Sequence, residues 1–189
     1  MKLSIDKVVL VRGKSEEYDL PSEYIRSLKD EARALEEIFG LSSEPQEVFV
    51  ALFLNYQRKI VGAAEISRGN MHHAQAPIQQ VLQHALAHNA SGIIIAHNHP
   101  SGIVIPSRSD TQTTNILFKG CKAVGLCLMD HAIIGGGKFF SFWALRCEKK
   151  RHPHTRFLEL VKRSIHGIRP KKFEKPKDIL AAVAEPEKG

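Results

Sequence analysis

Short, densely apolar runs alternate along the chain with stretches in which apolar residues recur every third or fourth position, and that alternation predicts strands separated by helices. A β-like run, Lys7-Val8-Val9-Leu10-Val11, comes first. Pro21-Ser22-Glu23 then opens a helical pattern through Ile25, Leu28, Ala32, Leu35, Ile38 and Phe39, closed by Gly40. Val48 to Leu54 is a strand candidate with no polar position. Ile60 to Ile66 returns as a second strand behind the turn-like Asn55-Tyr56-Gln57-Arg58-Lys59, which makes a hairpin. Pro77 starts a helix over residues 77–89, with Val81, Leu82, Ala85 and Leu86 on one face. Gly92 to Ala96 reads as a strand covered on both faces. A loop from His97 to Pro106 feeds a helix from Ser107 to Val124, and two last strands, Leu126 to Ile134 and Phe139 to Ala144, flank Gly135-Gly136-Gly137. Helices interleaved between strands predict an α/β fold.

Composition narrows the class. At 189 residues, 43% hydrophobic and 25% charged, the chain has ordinary globular make-up and room for one domain with an appendage. No apolar run approaches the roughly 20 residues of a spanning helix, and the first residues lack a secretory h-region, so a cytoplasmic protein with no membrane attachment is expected. Cys121, Cys127 and Cys147 form no C-x-x-C pair; they read as small core residues of a reducing compartment, not as a disulfide or cysteine-zinc framework.

The net charge of +7 is uneven: residues 1–147 carry 15 Lys/Arg against 14 Asp/Glu, and residues 148–189 carry 12 against 6. A nucleic-acid partner would therefore be held by the tail. We expect a strand-and-helix extension over 1–45, a catalytic domain over 46–147, and a basic tail over 148–189. In that tail an amphipathic piece at 156–167 and a short helix near 178–184 would form a helical arm or a partly disordered segment.

The richest chemistry lies in His97-Asn98-His99-Pro100-Ser101-Gly102 and the following Pro106-Ser107-Arg108-Ser109-Asp110. Two histidines one residue apart at a strand end, with an aspartate in the first turn of the next helix, can give N, N and O ligands to one ion. A fourth position is left for water, as in a catalytic zinc site. Such an ion acidifies water enough to supply a nucleophile at neutral pH. Glu65, the lone acidic residue between Glu47 and Asp110, is the candidate acid/base at the end of an apolar strand; by itself it also reads as an edge-strand surface residue. Ser107 is placed to donate to an oxyanion and equally to cap the helix with Asp110, two compatible roles. His72-His73 read as a solvent-exposed loop pair. His84 and His88, one turn apart, lack the glutamate of a zincin helix and are weak ligand candidates. Asp130-His131 interrupts an apolar strand and reads first as a buried hydrogen-bonded pair that orders the neighbouring site, second as a direct participant in catalysis.

Glu65, His97-x-His99, Ser107 and Asp110 resemble the JAMM motif of the MPN(+) metalloenzymes. Ala85-Leu86-x-x-Asn89-Ala90, His97-Asn98-His99-Pro100-Ser101-Gly102 and Asp130-His131-x-Ile133-Ile134 are more closely similar to the RadC branch, over about residues 46–145. The resemblance implies a JAB/MPN-type, cytidine-deaminase-like α/β/α sandwich with a mixed central sheet. It further implies zinc on His97, His99 and Asp110, acid/base work by Glu65, and oxyanion stabilisation by Ser107. Two departures stand out: Ile78-Gln79-Gln80 replaces the Pro-Arg-Glu usual in RadC proteins, and no helix-hairpin-helix region is recognisable in residues 1–45.

Three functions follow as expectations. The first is a zinc-dependent amide hydrolase of metallopeptidase or isopeptidase type, acting on a protein or peptide. The second is a metal-dependent DNA-processing protein, nuclease or repair-associated. The third is a non-catalytic module that binds nucleic acid or protein through the tail. One chain leaves oligomeric state open.

Overall fold

The computed structural model describes residues 18, 20, 22–69, 78–151, 155 and 157–167. The run at 7–11, His72-His73, Pro77 and the helix near 178–184 lie outside the described residues. In chain order the elements are α1 (Leu28–Phe39), a short 3-10 turn (Leu41–Ser43), β1 (Val48–Leu54), β2 (Ile60–Arg68), α2 (Ile78–Ala87), β3 (Gly92–Asn98), α3 (Arg108–Ala123), β4 (Cys127–Gly135), β5 (Lys138–Ser141), α4 (Phe142–Arg151), α5 (Phe157–Arg163) and β6 (Ile165–Gly167). The six strands form one mixed sheet in the order β2-β1-β3-β4-β5-β6. Among the described strands only β3 and β4 run parallel, joined by the crossover helix α3, as a parallel pair requires.

Every side chain of β1 is buried because the strand is sandwiched. Val48, Val50, Leu52 and Leu54 point to one face and share a cluster with Ile25, Ala32, Leu35 and Leu41. Phe49, Ala51 and Phe53 point to the other and meet Val81 and Ala85 of α2 and Leu117 and Cys121 of α3. A third cluster joins Ile133 and Phe140 to Leu145 of α4 and Leu160 and Val161 of α5. The result is the α/β/α sandwich with a mixed sheet. Because α1 fills the same core as β1 and β3, the described residues from Ile25 to Leu41 are integral to this packing. Likewise α4 runs continuously through residue 147.

Three boundaries differ from the sequence pattern. α1 begins at Leu28, not near Pro21. Tyr24 bridges Lys59 and the Ile25 N–H bonds the Arg58 carbonyl, holding that stretch extended, and Ser27 then caps the helix by accepting from the Asp30 N–H. β5 ends at Ser141, so Phe142 to Ala144 are helical where a strand was expected. The Ser141 hydroxyl accepts the Ala144 N–H at 3.0 Å and starts α4 as an N-cap does. The tail piece expected over 156–167 is α5 followed by β6, a three-residue strand paired with β5.

Candidate metal centre

β3 carries the sequence from the buried Ile93-Ile94-Ile95 to His97 at its carboxyl end, where the sheet stops and a loop begins. His97 pairs across the ladder with Phe49, so its ring turns to the α3 face, stacked on Phe49 with centroids 6.2 Å apart. Asn98 points the opposite way. Its Oδ1 accepts the Val48 N–H at 2.7 Å and its amide donates to the Glu44 and Gln46 carbonyls, tying the start of β1 to the end of β3. His99 is held by its loop: its N–H donates to Ile134 O at 2.8 Å and its Nδ1 bonds Ile103 O at 2.6 Å. Asp110 enters from the first turn of α3 in a reciprocal capping box. Ser107 Oγ accepts the Asp110 N–H, and the Asp110 carboxylate accepts the Ser107 N–H at 2.6 Å.

These elements bring together His97, His99 and Asp110. The two Nε2 atoms are 3.1 Å apart, and Asp110 oxygens lie 3.3 Å from His97 Nε2 and 3.7 Å from His99 Nε2. Among the described residues this is the one group of three or more such side chains whose ligand atoms converge, all within 4.8 Å.

Hydrogen-bond partners fix the protons. The Thr114 hydroxyl donates to the Asp110 carbonyl at 2.6 Å, so its oxygen accepts from His131 Nδ1, also at 2.6 Å. His131 Nε2 is then a bare lone pair and accepts from His97 Nδ1 at 3.0 Å. On the neutral rings this leaves His97 Nε2 unprotonated. His99 Nδ1 donates to a carbonyl, so its Nε2 is bare as well. Burial keeps His131 well below the usual histidine range and hence neutral. Burial alone would raise the Asp110 carboxyl, but His97, whenever its ring carries a second proton, and the Ser107 hydroxyl and N–H outweigh it and hold the group well below the carboxylate range.

Two lone pairs and a carboxylate therefore face one point. One proton can serve only one nitrogen, whereas a divalent ion serves all three donors. Ligands ~2.0–2.1 Å from a tetrahedral zinc stand about 3.3–3.4 Å apart, which the observed separations bracket. The donor set fits a metal ion. Side-chain exposure of 1% for His97 and 18% for His99 leaves the His99 side open to solvent.

Glu65 is not brought into this cluster. It lies exposed on the edge strand β2, opposite Val50, while His97 lies opposite Phe49; neighbouring residues of β1 face opposite sides of the sheet. Arg68 grips both Glu65 oxygens, at 2.9 and 2.8 Å, and also pairs with Glu44. Ser107 sits beside Asp110, and its capping role uses the oxygen as an acceptor. His84 and His88 stack on Phe53, and His88 Nδ1 bonds the His84 carbonyl, so the two rings do not converge as ligands. Asp130 and His131 turn to opposite faces; His131 supports His97, as the sequence suggested. Thr114 escaped the sequence reading, although its position four residues after Asp110 puts it on the same side of α3.

The sandwich and the His-His-Asp cluster at the strand end define an α/β domain built around a metal-binding site. The chain matches the RadC-like JAB domain family over residues 25–149 and belongs to that family. It is 40% identical over 102 residues to the UPF0758 protein of Streptococcus gordonii, a match covering 54% of this chain and 45% of that protein. The chain thus spans less than half the length of that relative.

Proposed function

We propose that this protein is a zinc-dependent hydrolase of the JAMM type that cleaves an amide bond in a peptide or isopeptide. The observation that carries this reading is the convergence of two histidine Nε2 atoms and one carboxylate at tetrahedral spacing, with one side open to solvent. When bound, zinc supplies an activated water and polarises the scissile carbonyl. The chain's own groups do the rest. His131 and the Ile103 carbonyl orient the two rings, and Ser107 offers a hydroxyl beside the Asp110 carboxylate. Glu65 is the proposed acid/base. Because Arg68 holds it on the other face of the sheet edge, it serves only after that clasp opens and the end of β2 turns toward His97.

The test is hydrolysis of a fluorogenic peptide panel and of isopeptide-linked substrates by zinc-loaded protein. Glu65→Gln is expected to keep its zinc and lose turnover by about 10²–10⁴-fold, the usual worth of a general acid/base. Arg68→Gln should leave turnover equal or higher. Full turnover in Glu65→Gln would overturn the assignment.

A nucleic-acid reading has one observation of its own. Lys149, Lys150 and Arg151 close α4 and Lys162 and Arg163 close α5, all exposed. Removing residues 148–189 should then weaken DNA binding and flatten its salt dependence. For location we propose the cytoplasm, which the free cysteines support; among the described residues no helix is long and apolar enough to cross a membrane.

A further inference from the structure

The chain passes from His99 to the start of α3 through one short segment, Ile103-Val104-Ile105-Pro106, beside the solvent-open His99 side of the metal centre. Its residues alternate. Val104 is buried, 2% exposed, in the cluster of Ile133, Phe140 and Leu145, whereas Ile103 and Ile105 are 60% and 44% exposed. The segment is fixed at three points. The Ile103 carbonyl accepts from His99 Nδ1 at 2.6 Å, the Val104 side chain is anchored in its cluster, and Ser107, just past Pro106, begins the capping box with Asp110. Two β-branched apolar side chains are thus held out into water next to the metal ligands.

A single exposed apolar side chain asks for no explanation. This pair does, because neither side chain serves the loop itself: the bond to His99 uses the Ile103 main chain, and the anchor is Val104. The main chain adds a second observation. Among the described residues the N–H and carbonyl of Ile105 have no hydrogen-bond partner, so they are free to pair with a chain laid alongside. Main-chain pairing with side-chain contacts at alternate positions is how an extended peptide is recognised. Only the His99 ring separates the Ile103 carbonyl from Nε2. In a peptide whose amide reaches that nitrogen, the next residue, about 3.8 Å along, comes against this segment. Residues 100–107 carry no charge, which disfavours a phosphate backbone as the occupant.

We propose that Ile103 and Ile105 are the specificity-determining residues of the site and take the bulky apolar side chain of a residue flanking the scissile amide in an extended peptide. The proposal rests on the hydrolase reading for the bond that is cut. It narrows the substrate from any amide to a peptide with leucine, isoleucine or phenylalanine next to that bond.

The test measures binding and turnover separately, on the full-length, zinc-loaded protein. The binding probes are fluorescein-labelled Gly-Gly-Leu-Leu-Gly-Gly and Gly-Gly-Ser-Ser-Gly-Gly, each with its central amide reduced to an uncleavable methyleneamine, followed by anisotropy. The leucine peptide should bind at least about tenfold tighter, the ordinary worth of an apolar contact of this kind. In Ile103→Ser/Ile105→Ser that ratio should fall below about threefold, with zinc content and melting temperature as in the parent because both side chains are exposed. Equal binding of the two peptides by the parent, or a preference that survives in the double variant, overturns the proposal. Should the double variant lose its zinc, Ile105→Ser alone decides, and an undiminished preference in it overturns the proposal. A dimer in sedimentation that dissociates in the double variant, with no peptide preference in the parent, assigns the two isoleucines to a second copy of the chain and also overturns it. Turnover of the all-amide peptides tells the two readings apart. Selective binding without turnover supports the subsite and counts against the hydrolase, whereas cleavage of both peptides at equal rates supports the hydrolase and overturns the subsite.

Discussion

His97 owes its chemistry to a relay of side chains that runs from the Asp110 carbonyl through Thr114 and His131 to its own Nδ1. The relay sets the tautomer and points Nε2 outward, the part that groups behind a metal ligand ordinarily play. His131→Phe tests this. A phenyl ring can keep the stack on Phe142, whose centroid is 5.0 Å away, but it accepts nothing from His97. Metal affinity should fall by about 10–100-fold in a competition titration while the fold is retained, and an unchanged affinity would show that the relay is idle. The three ligand positions were legible in the sequence because local geometry fixes them: a strand end aligns His97 with His99, and a helix start delivers Asp110. The position of Glu65 was not. Its partner Arg68 is local, but the bulge between Phe49 and Val50 that decides which face it takes, and Glu44 on the far side of β1, are tertiary features.

Among elements, the turn between β4 and β5 matters most to the site. Gly136 and Gly137 take φ of 51° and 70°, as a two-residue hairpin turn requires, and the turn packs directly on the ligand loop. A Cβ at Gly135 would sit 2.8 Å from the His99 carbonyl oxygen and 3.3 Å from Gly102 Cα, both backbone atoms. Gly135→Ala should therefore push the His99 loop away, costing roughly 1–3 kcal/mol of stability as overpacking does. Zinc content should fall further than the melting temperature suggests; parental zinc affinity would mean the loop is not braced there. Elements with strong internal pattern were readable from the chain, such as the seven apolar residues of β1 and the capped α3. Those set by partners were not. β6 has three residues and exists because β5 offers an edge, and β5 is cut short because Ser141 serves Asp130 and the first turn of α4.

At the scale of the whole molecule, the sheet separates two polar centres, the metal ligands on the α3 face and two buried, interacting carboxyls, Glu31 of α1 and Asp130 of β4, on the α1 face. The second has a pH signature. Burial raises Asp130 from 3.8 to about 6, although hydrogen bonds from Ser141, Trp143, His131 and Phe142 pull it back, and burial raises Glu31 from 4.5. Between those ordinary values and the raised ones, the folded chain binds more protons than the unfolded chain. The pair's contribution to stability is therefore fully present below about pH 4 and is lost as pH rises through about 6. Glu31→Gln removes one of the two carboxyls, so at pH 7 it should be more stable than the parent, and that advantage should shrink at pH 5. Urea unfolding of the metal-free proteins at both pH values measures it, and a difference independent of pH would contradict the raised values. The charge asymmetry toward residues 148–189 belongs to this scale too, and composition alone revealed it.

The claim on which the functional reading rests is that His97, His99 and Asp110 hold a metal ion. The most direct measurement is elemental analysis of the purified protein at neutral pH beside His97→Ala/His99→Ala, since acid would protonate the ligands and strip the metal. About one zinc per chain in the parent and none in the double variant is the predicted result. Metal absent from both after reconstitution with zinc, or equal in both, would contradict it.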